Sequence, residues 1–201
     1  HPSADLLNDM DVPIFKIPSG ETVNLPLLRH IARMGKPIIL STGMSYMGEV
    51  ENAVHCIYES GNLDLALLHC VSEYPANSCD VNLKAMRTME AAFQVPIGFS
   101  DHTLGIEVPI AAVALGACII EKHFTLDREM EGPDHRASLD PGQLGELVKA
   151  IRSVEQAIGN GVKAPVASEM NNRQVVRRSI YTSCFKNPGE IIDESDLVTL
   201  R

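Results

Sequence analysis

Residues 95–123 read VPIGFSDHTLGIEVPIAAVALGACIIEKH. Two short apolar runs, at 95–99 and 117–123, flank a segment in which apolar residues recur at the spacing of one helix face, at Val108, Ala111, Ala112 and Leu115. A short apolar run, a helix and a second short run form the pattern of a βαβ unit. This stretch therefore predicts two parallel strands that are joined by a crossover helix.

The same pattern extends toward the N-terminus. Further apolar runs lie at 13–17, 37–40 and 65–70, and segments of helical period lie between them. Gly35 and Gly61 stand where a helix should end before the next strand. The pattern predicts an α/β chain with about five strand–helix units. Because a closed (β/α)8 barrel has eight such units in about 250 residues, we expect an incomplete TIM barrel that is cut at both ends.

The C-terminal part has a different pattern. An amphipathic helix is predicted from about 141, and the segment after it is rich in Gly, Ala, Pro, Ser and Asn, which is typical of a linker. The segment 178–184 alternates like a strand, and a turn is predicted at 187–190. We therefore expect a partial barrel at 1–158, a linker at 159–176, and the start of a small β domain at 177–201.

Composition and charge argue against several classes of partner. The chain has 201 residues and a formal net charge of −9, which opposes binding to a nucleic-acid backbone or an anionic membrane surface. No apolar run approaches the ~20 residues of a membrane-spanning helix. Aromatic residues make up 4% of the chain and Trp is absent, so bases would find few stacking surfaces. We expect a soluble, cytoplasmic protein that binds neither nucleic acid nor membrane.

The cysteines are odd in number and form no C-x-x-C pair, which argues against a disulfide framework or a redox motif. Most of them lie inside apolar stretches, so the sequence predicts reduced residues that pack in the core. They are Cys56, Cys70, Cys79, Cys118 and Cys184.

Polar side chains follow almost every predicted strand. In parallel α/β folds, ligands bind at the carboxyl ends of the strands, so these side chains are the candidates for a functional site. They are Lys16, Ser19, Ser41, Ser72, Tyr74, Ser100, His102, Glu121 and His123.

Alternation along the last two predicted strands indicates which side chains meet. Glu121 and His123 share one face of their strand, and Lys122 lies on the other. By the same rule His102 and Asp101 lie on opposite faces of the preceding strand. If the two strands are neighbours, His102 and His123 could bind one cation and leave positions open for water and substrate. The alternative is that each histidine is a hydrogen-bonded structural residue.

Lys16 is a cation inside an apolar strand, which costs free energy unless the ammonium group meets an anion. With the hydroxyl groups of Ser19 and Ser41 nearby, that anion could be a phosphate or carboxylate of a ligand. The alternative is an ion pair within the protein, with Glu21 or Glu121 as the partner.

The chain also contains a set of segments in a fixed order: FKIPSGE at 15–21, ILSTGM at 39–44, GFSDHT at 98–103, EKHFTLD at 121–127 and GPDH at 132–135. Together they resemble the N-acetylneuraminate (sialic acid) synthases. The resemblance covers about residues 12–160. The tail at 178–201 resembles the first part of the antifreeze-like (SAF) domain that follows the barrel in that family.

The resemblance implies a (β/α)8 TIM-barrel enzyme that condenses phosphoenolpyruvate with N-acetylmannosamine or a related 2-acetamido sugar. The products would be a nine-carbon sialic acid and phosphate, and the enzyme would be a homodimer. The implied metal is Mn²⁺, or Mg²⁺ or Co²⁺, with His102 and His123 as its ligands and Glu121 as a further catalytic residue beside them. The residues that would bind phosphoenolpyruvate are Lys16, Ser19, Ser41 and Ser100, and those that would face the sugar are Tyr74 and Asp134.

Other functions stay open at this point. Within the family the product could be legionaminic or pseudaminic acid, although the GPDH segment favours the neuraminate or legionaminate branch. Ser72 departs from the family, which often has Asn there. A truncated barrel could instead be a non-catalytic assembly or sugar-binding module. A metallohydrolase would need a further ligand, for which His135 is the spare candidate, poorly placed on a loop.

Overall fold

Five parallel strands form one sheet, and the strands lie side by side in the order of the chain. The computed structural model describes residues 1–201. Each strand overlaps one of the short apolar runs, so the prediction of an α/β chain with five parallel strands is confirmed. The strands are β1 (Phe15–Ile17), β2 (Ile38–Ser41), β3 (Leu65–Cys70), β4 (Ile97–Asp101) and β5 (Ile120–Lys122).

Four helices connect successive strands, as parallel neighbours require, and they are α2 (Leu25–Ala32), α3 (Met47–Glu59), α4 (Ala85–Phe93) and α5 (Glu107–Ala114). Helix α1 (Pro2–Asp9) precedes β1, and helix α6 (Pro141–Ile158) follows β5. Helix α6 begins where the sequence predicts, because Asp140 accepts a hydrogen bond from the backbone N–H of Gln143 at 2.8 Å and Pro141 occupies the first helical position. No helix of the chain combines the length and the apolar character that crossing a bilayer requires.

The core between the sheet and the helices is aliphatic. Leu40 and Leu67 of the central strands and Leu28 and Ile57 of α2 and α3 have no exposed surface, and Phe99 of β4 is almost completely buried. Burying a side chain of this size stabilises the fold by about 1.5–3 kcal/mol. The core therefore consists of many branched aliphatic side chains in contact rather than of a few large aromatic rings, in line with the absence of Trp.

A buried ion pair joins β4 to β5 on one face of the sheet. Asp101 and Lys122 are partners in the strand register, and the Lys122 Nζ lies 2.6 Å from the Asp101 Oδ2. The side chains are 0% and 4% exposed, respectively. The other carboxylate oxygen of Asp101 accepts from the backbone N–H of Thr103 at 2.9 Å, and Lys122 also donates to the Thr103 carbonyl. The pair therefore holds β4 and β5 in one register and fixes the turn after β4.

We expect Lys122→Met to lower the free energy of unfolding by about 3–5 kcal/mol, because it leaves the Asp101 carboxylate buried without a counter-charge. The double variant Asp101→Asn with Lys122→Met should recover most of this loss. Urea denaturation followed by far-UV circular dichroism gives the free energies. Arg152→Met, which removes an exposed pair with Glu155, is the matched control and should cost no more than about 1 kcal/mol. Equal losses in the single and the double variant would contradict the prediction.

The chain divides into two compact units, His1–Gly159 and Asn160–Arg201. The second unit contains helix α7 (Met170–Val176) and a two-stranded antiparallel sheet of β6 (Ser179–Thr182) and β7 (Leu197–Leu200).

Part of the segment for which the sequence predicts a linker, 159–176, is helical in the structure. A 3-10 turn at Ala167–Glu169 leads directly into α7. The Glu169 side chain accepts a hydrogen bond from the backbone N–H of Val166 at 3.0 Å. This local hydrogen bond stabilises the start of the helical segment. All residues of α7 are exposed, so this helix has no buried apolar face. Its sequence therefore lacks the regular spacing of apolar residues from which a helix is predicted.

Candidate functional site

A cavity of about 460 Å³ that is lined mainly by polar residues lies at the carboxyl ends of the five strands. Consecutive parallel strands with helical crossovers all end at the same edge of the sheet, so side chains distant in sequence converge there. All of the residues that the sequence analysis assigned to metal and substrates line this cavity, except Asp134. The lining residues are Lys16, Pro18, Ser19, Gly20, Ser41, Met44, Cys70, Ser72, Tyr74, Ser100, His102, Glu121 and His123.

Asp134 lies beside the cavity rather than in its wall. Its Oδ2 atom is 3.9 Å from the Nδ1 atom of His123. The loop that carries Asp134 is held in place by His135, whose Nδ1 atom lies 2.7 Å from the hydroxyl group of the buried Thr125. His135 is therefore engaged elsewhere and does not line the cavity.

Two imidazoles and a phenol form a cluster at one side of the cavity. The ring centroids of His102 and His123 are 5.3 Å apart at an interplanar angle of 78°. The Tyr74 ring lies 4.2 Å from His102 and 5.4 Å from His123. Partial burial raises the pKa of the Tyr74 phenol, with nearby carboxylates adding to the shift, so the phenol stays a neutral hydrogen-bond donor.

The surroundings of His102 keep its imidazole neutral and fix its tautomer. Burial lowers the pKa of His102, although the hydrogen bond to the Val71 carbonyl opposes this effect. Because a carbonyl oxygen only accepts, the His102 Nδ1 carries the proton that it donates to Val71 at 2.6 Å. The lone pair is then on Nε2. A backbone carbonyl that orients an imidazole in this way is typical of histidine ligands of metals.

The donor set fits a divalent cation only in part. No group of three or more His, Cys, Asp or Glu side chains in the chain is arranged to hold a metal ion. His102 and His123 offer two imidazole nitrogen donors, and the one carboxylate in the cavity wall, that of Glu121, is engaged by other residues. A cation at this place would therefore take its other ligands from water or substrate, as an open catalytic site does.

Lys16 is the single lysine in the cavity wall, and its ammonium group contacts a carboxylate of the protein. Its Nζ atom lies 3.2 Å from the Oε2 atom of Glu121. The other oxygen, Oε1, accepts a hydrogen bond from the Ser100 hydroxyl group at 2.7 Å. Of the two partners that the sequence left open for Lys16, the structure selects Glu121, because Glu21 instead accepts from Asn24.

The serine hydroxyl groups of the cavity differ in their hydrogen bonding. Ser19 accepts a hydrogen bond from the backbone N–H of Gly43 at 2.9 Å and lies 3.0 Å from the Cys70 thiol. Ser41 is buried, and its hydroxyl group has no hydrogen-bond partner in the protein. A buried polar group without a partner costs free energy, and a bound ligand would remove that cost.

The sequence analysis missed Cys70 as a cavity residue. It predicted core packing for all five cysteines, whereas the Cys70 thiol contacts Ser19 at the cavity wall and Cys79, Cys118 and Cys184 are exposed. The position of Cys70 at the carboxyl end of β3 is the same signal that identified the other candidates, and it could have identified Cys70.

The relationship to known proteins agrees with this geometry. A family model described as the NeuB family matches residues 1–163. The chain belongs to the NeuB family. The resemblance to sialic acid synthases in the sequence is therefore confirmed at the level of the family, and the five parallel strands form a half-barrel sheet of the α/β class.

Several relatives of this NeuB-family chain are named as sugar acid synthases. It is 50% identical over 201 residues to the N,N'-diacetyllegionaminic acid synthase of Campylobacter jejuni, a match that covers 99% of this chain and 60% of that protein. It is 38% identical over 200 residues to the N-acetylneuraminate-9-phosphate synthase of Homo sapiens, with 99% of this chain and 55% of that protein covered.

A solved structure shows the same relationship. The N-acetylneuraminic acid (sialic acid) synthetase of Leptospira borgpetersenii, crystallised with citrate, matches with a TM-score of 0.79 and 40% identity. The match covers 89% of this NeuB-family chain and 63% of that one. The chain thus spans less than two thirds of the length of each of these three relatives.

Gly43 packs against three residues of the cavity wall, which leave no room for a side chain at this position. A Cβ atom there would lie 2.4 Å from the Ser72 hydroxyl oxygen and 2.7 Å from the Cys70 sulfur. We expect Gly43→Ala to lower the free energy of unfolding by about 1–3 kcal/mol, because these neighbours must shift. Gly20→Ala is the matched control in the same cavity, since a Cβ atom at Gly20 has no neighbour within 4 Å. Thermal denaturation of both variants makes the comparison, and equal midpoints would contradict it.

Proposed function

We propose that this NeuB-family chain carries the site of a synthase that condenses phosphoenolpyruvate with a 2-acetamido sugar. The products are a nine-carbon α-keto acid of the sialic acid type and phosphate. The observation that carries this proposal is the cavity itself, in which an anion-binding half, with Lys16 and the unpartnered Ser41, adjoins the paired imidazoles of His102 and His123.

The reaction joins C3 of phosphoenolpyruvate to the aldehyde carbon of the open-chain sugar. One water molecule adds at C2, the C2–O bond to phosphate breaks, and the atoms balance as one α-keto acid and one phosphate. The substrate anion is highly charged, and Lys16 offsets part of this charge while Ser19, Ser41 and Ser100 offer hydroxyl groups to its oxygens.

The imidazole side of the cavity would receive the sugar. A divalent cation, Mn²⁺ or in its place Mg²⁺ or Co²⁺, bound by His102 and His123 would act as a Lewis acid toward the sugar carbonyl group. Tyr74 packs against both imidazoles. In this proposal its phenol and the carboxylate of Asp134, which lies beside His123, bind hydroxyl groups of the sugar.

The identity of the sugar follows from the relatives only as a proposal. The relative with 50% identity is named for N,N'-diacetyllegionaminic acid, whereas the relative with 38% identity is named for N-acetylneuraminate 9-phosphate. This difference favours a diacetamido sugar of the bacillosamine type over N-acetylmannosamine. We therefore place legionaminic acid synthesis first and N-acetylneuraminate synthesis second. A pseudaminic acid synthase is also among the relatives, at 36% identity.

Three further predictions from the sequence belong to the proposal. They are an incomplete barrel of the (β/α)8 TIM type, an antifreeze-like domain that begins at 177–201, and a cytoplasmic homodimer. The antiparallel pair of β6 and β7 supports a small β domain, and the sheet edges at β1 and β5 support an additional protein surface beside the half-barrel.

The test of the function is phosphate release from phosphoenolpyruvate in the presence of each sugar, with and without Mn²⁺. We expect Mn²⁺-dependent release from the chain and none from the His102→Ala, His123→Ala double variant. His55→Ala, which removes an exposed imidazole of α3, is the control and should behave like the parent chain. Release that is unchanged in the double variant would contradict the proposed site. Binding of both substrates without any release would instead identify a non-catalytic sugar-binding module.

A further inference from the structure

The charged side chains of the cavity cancel each other in the free protein. Lys16 and Glu121 are the only lysine, arginine, aspartate or glutamate residues in its wall. A cavity that is to bind a multiply charged anion therefore offers no net positive charge from these residues. Because like charges repel, the Glu121 carboxylate opposes the binding of an anion to Lys16 while Glu121 and Lys16 are in contact.

The contact between Lys16 and Glu121 is not a consequence of strand pairing. Lys16 belongs to β1 and Glu121 to β5, which are the two edges of the sheet. Their side chains meet across the carboxyl ends of the strands, and they are 31% and 40% exposed, respectively. Such a pair contributes little to stability, about 0–1 kcal/mol, in contrast to the buried pair of Asp101 and Lys122.

The Glu121 carboxylate makes the contacts that an oxyanion ligand would make. One of its oxygens lies on the Lys16 ammonium group, and the other accepts from the Ser100 hydroxyl group. The hydroxyl group of Ser41 in the same cavity has no partner. An incoming oxyanion could therefore take over both contacts of Glu121 and satisfy the Ser41 hydroxyl group in addition.

We propose that Glu121 is an internal counter-ion that occupies the anion subsite of the free protein and leaves Lys16 when an oxyanion ligand binds. This inference rests on the proposed function, because it concerns the same anion subsite. Glu121 keeps Lys16 and Ser100 in place while the site is empty. Binding is then an exchange of one carboxylate for another oxyanion, so its free energy is the difference between two similar sets of contacts.

The exchange predicts that removing the charge of Glu121 strengthens anion binding. Glu121→Gln keeps the size of the side chain and an acceptor for Ser100, but it frees the Lys16 charge and removes the repulsion. We expect the affinity for phosphoenolpyruvate in metal-free buffer to rise about three- to tenfold, in line with the strength of partly exposed ion pairs. Titration calorimetry of the 201-residue chain measures this affinity.

Glu21→Gln is the matched control for the exchange. Glu21 carries a carboxylate next to the cavity residue Gly20, but it accepts a hydrogen bond from Asn24 and makes no contact with Lys16. Its removal should change the affinity less than twofold. Equal gains from both variants would show a general effect of net charge and would overturn the proposal, as would an unchanged or lower affinity of Glu121→Gln.

Separate titrations with inorganic phosphate and with pyruvate show which oxyanion replaces Glu121. A gain for phosphate or for pyruvate in Glu121→Gln supports the exchange and assigns the subsite to that half of phosphoenolpyruvate. Lys16→Met separates the two proposals. If it binds phosphoenolpyruvate as the parent chain does, the proposed anion site fails. If it loses binding while Glu121→Gln gains nothing, the site stands and the internal counter-ion does not. Far-UV circular dichroism verifies that each variant is folded.

Discussion

The arrangement of side chains in the candidate site depends mainly on the register between β4 and β5. It sets Ser100 opposite Glu121 and Asp101 opposite Lys122. Because side chains alternate along a strand, a slip of β5 by one residue would turn Glu121 and Lys122 to the other face of the sheet. The buried pair of Asp101 and Lys122 opposes such a slip, since its charges would then lose their partners. A contact on one face of the sheet therefore keeps Ser100 and Glu121 on the opposite face, where they line the cavity.

The same turn connects the buried pair to the imidazole cluster. Asp101 and Thr103 are tied together by a hydrogen bond, and His102 lies between them with its backbone carbonyl accepting from Ala76. The side chain of His102 is held by the Val71 carbonyl. Three separate contacts thus orient one imidazole before any ligand arrives, which is the kind of support that a precise binding site needs.

Family membership and substrate identity are different levels of conclusion for this chain. The family follows from a match over 163 residues and from relatives such as one with 50% identity over 201 residues. The substrate depends on a few side chains around the sugar, and relatives that share the fold are named for different sugar acids. One half-barrel with the same strand-end residues is compatible with several products, because the fold positions the reacting groups while the rim selects the sugar.

The sequence by itself determined the strands, their order of succession and most of the cavity wall. Apolar runs of strand length and the rule that ligands bind at the carboxyl ends of parallel strands are local signals, and they sufficed to find Lys16, His102 and His123. Only the tertiary structure decided that Lys16 pairs with Glu121 and that the Ser41 hydroxyl group has no partner. These two facts depend on how far the sheet curves and how closely its edges approach. Such distances arise from packing over the whole unit, and they leave no periodic signal in the chain.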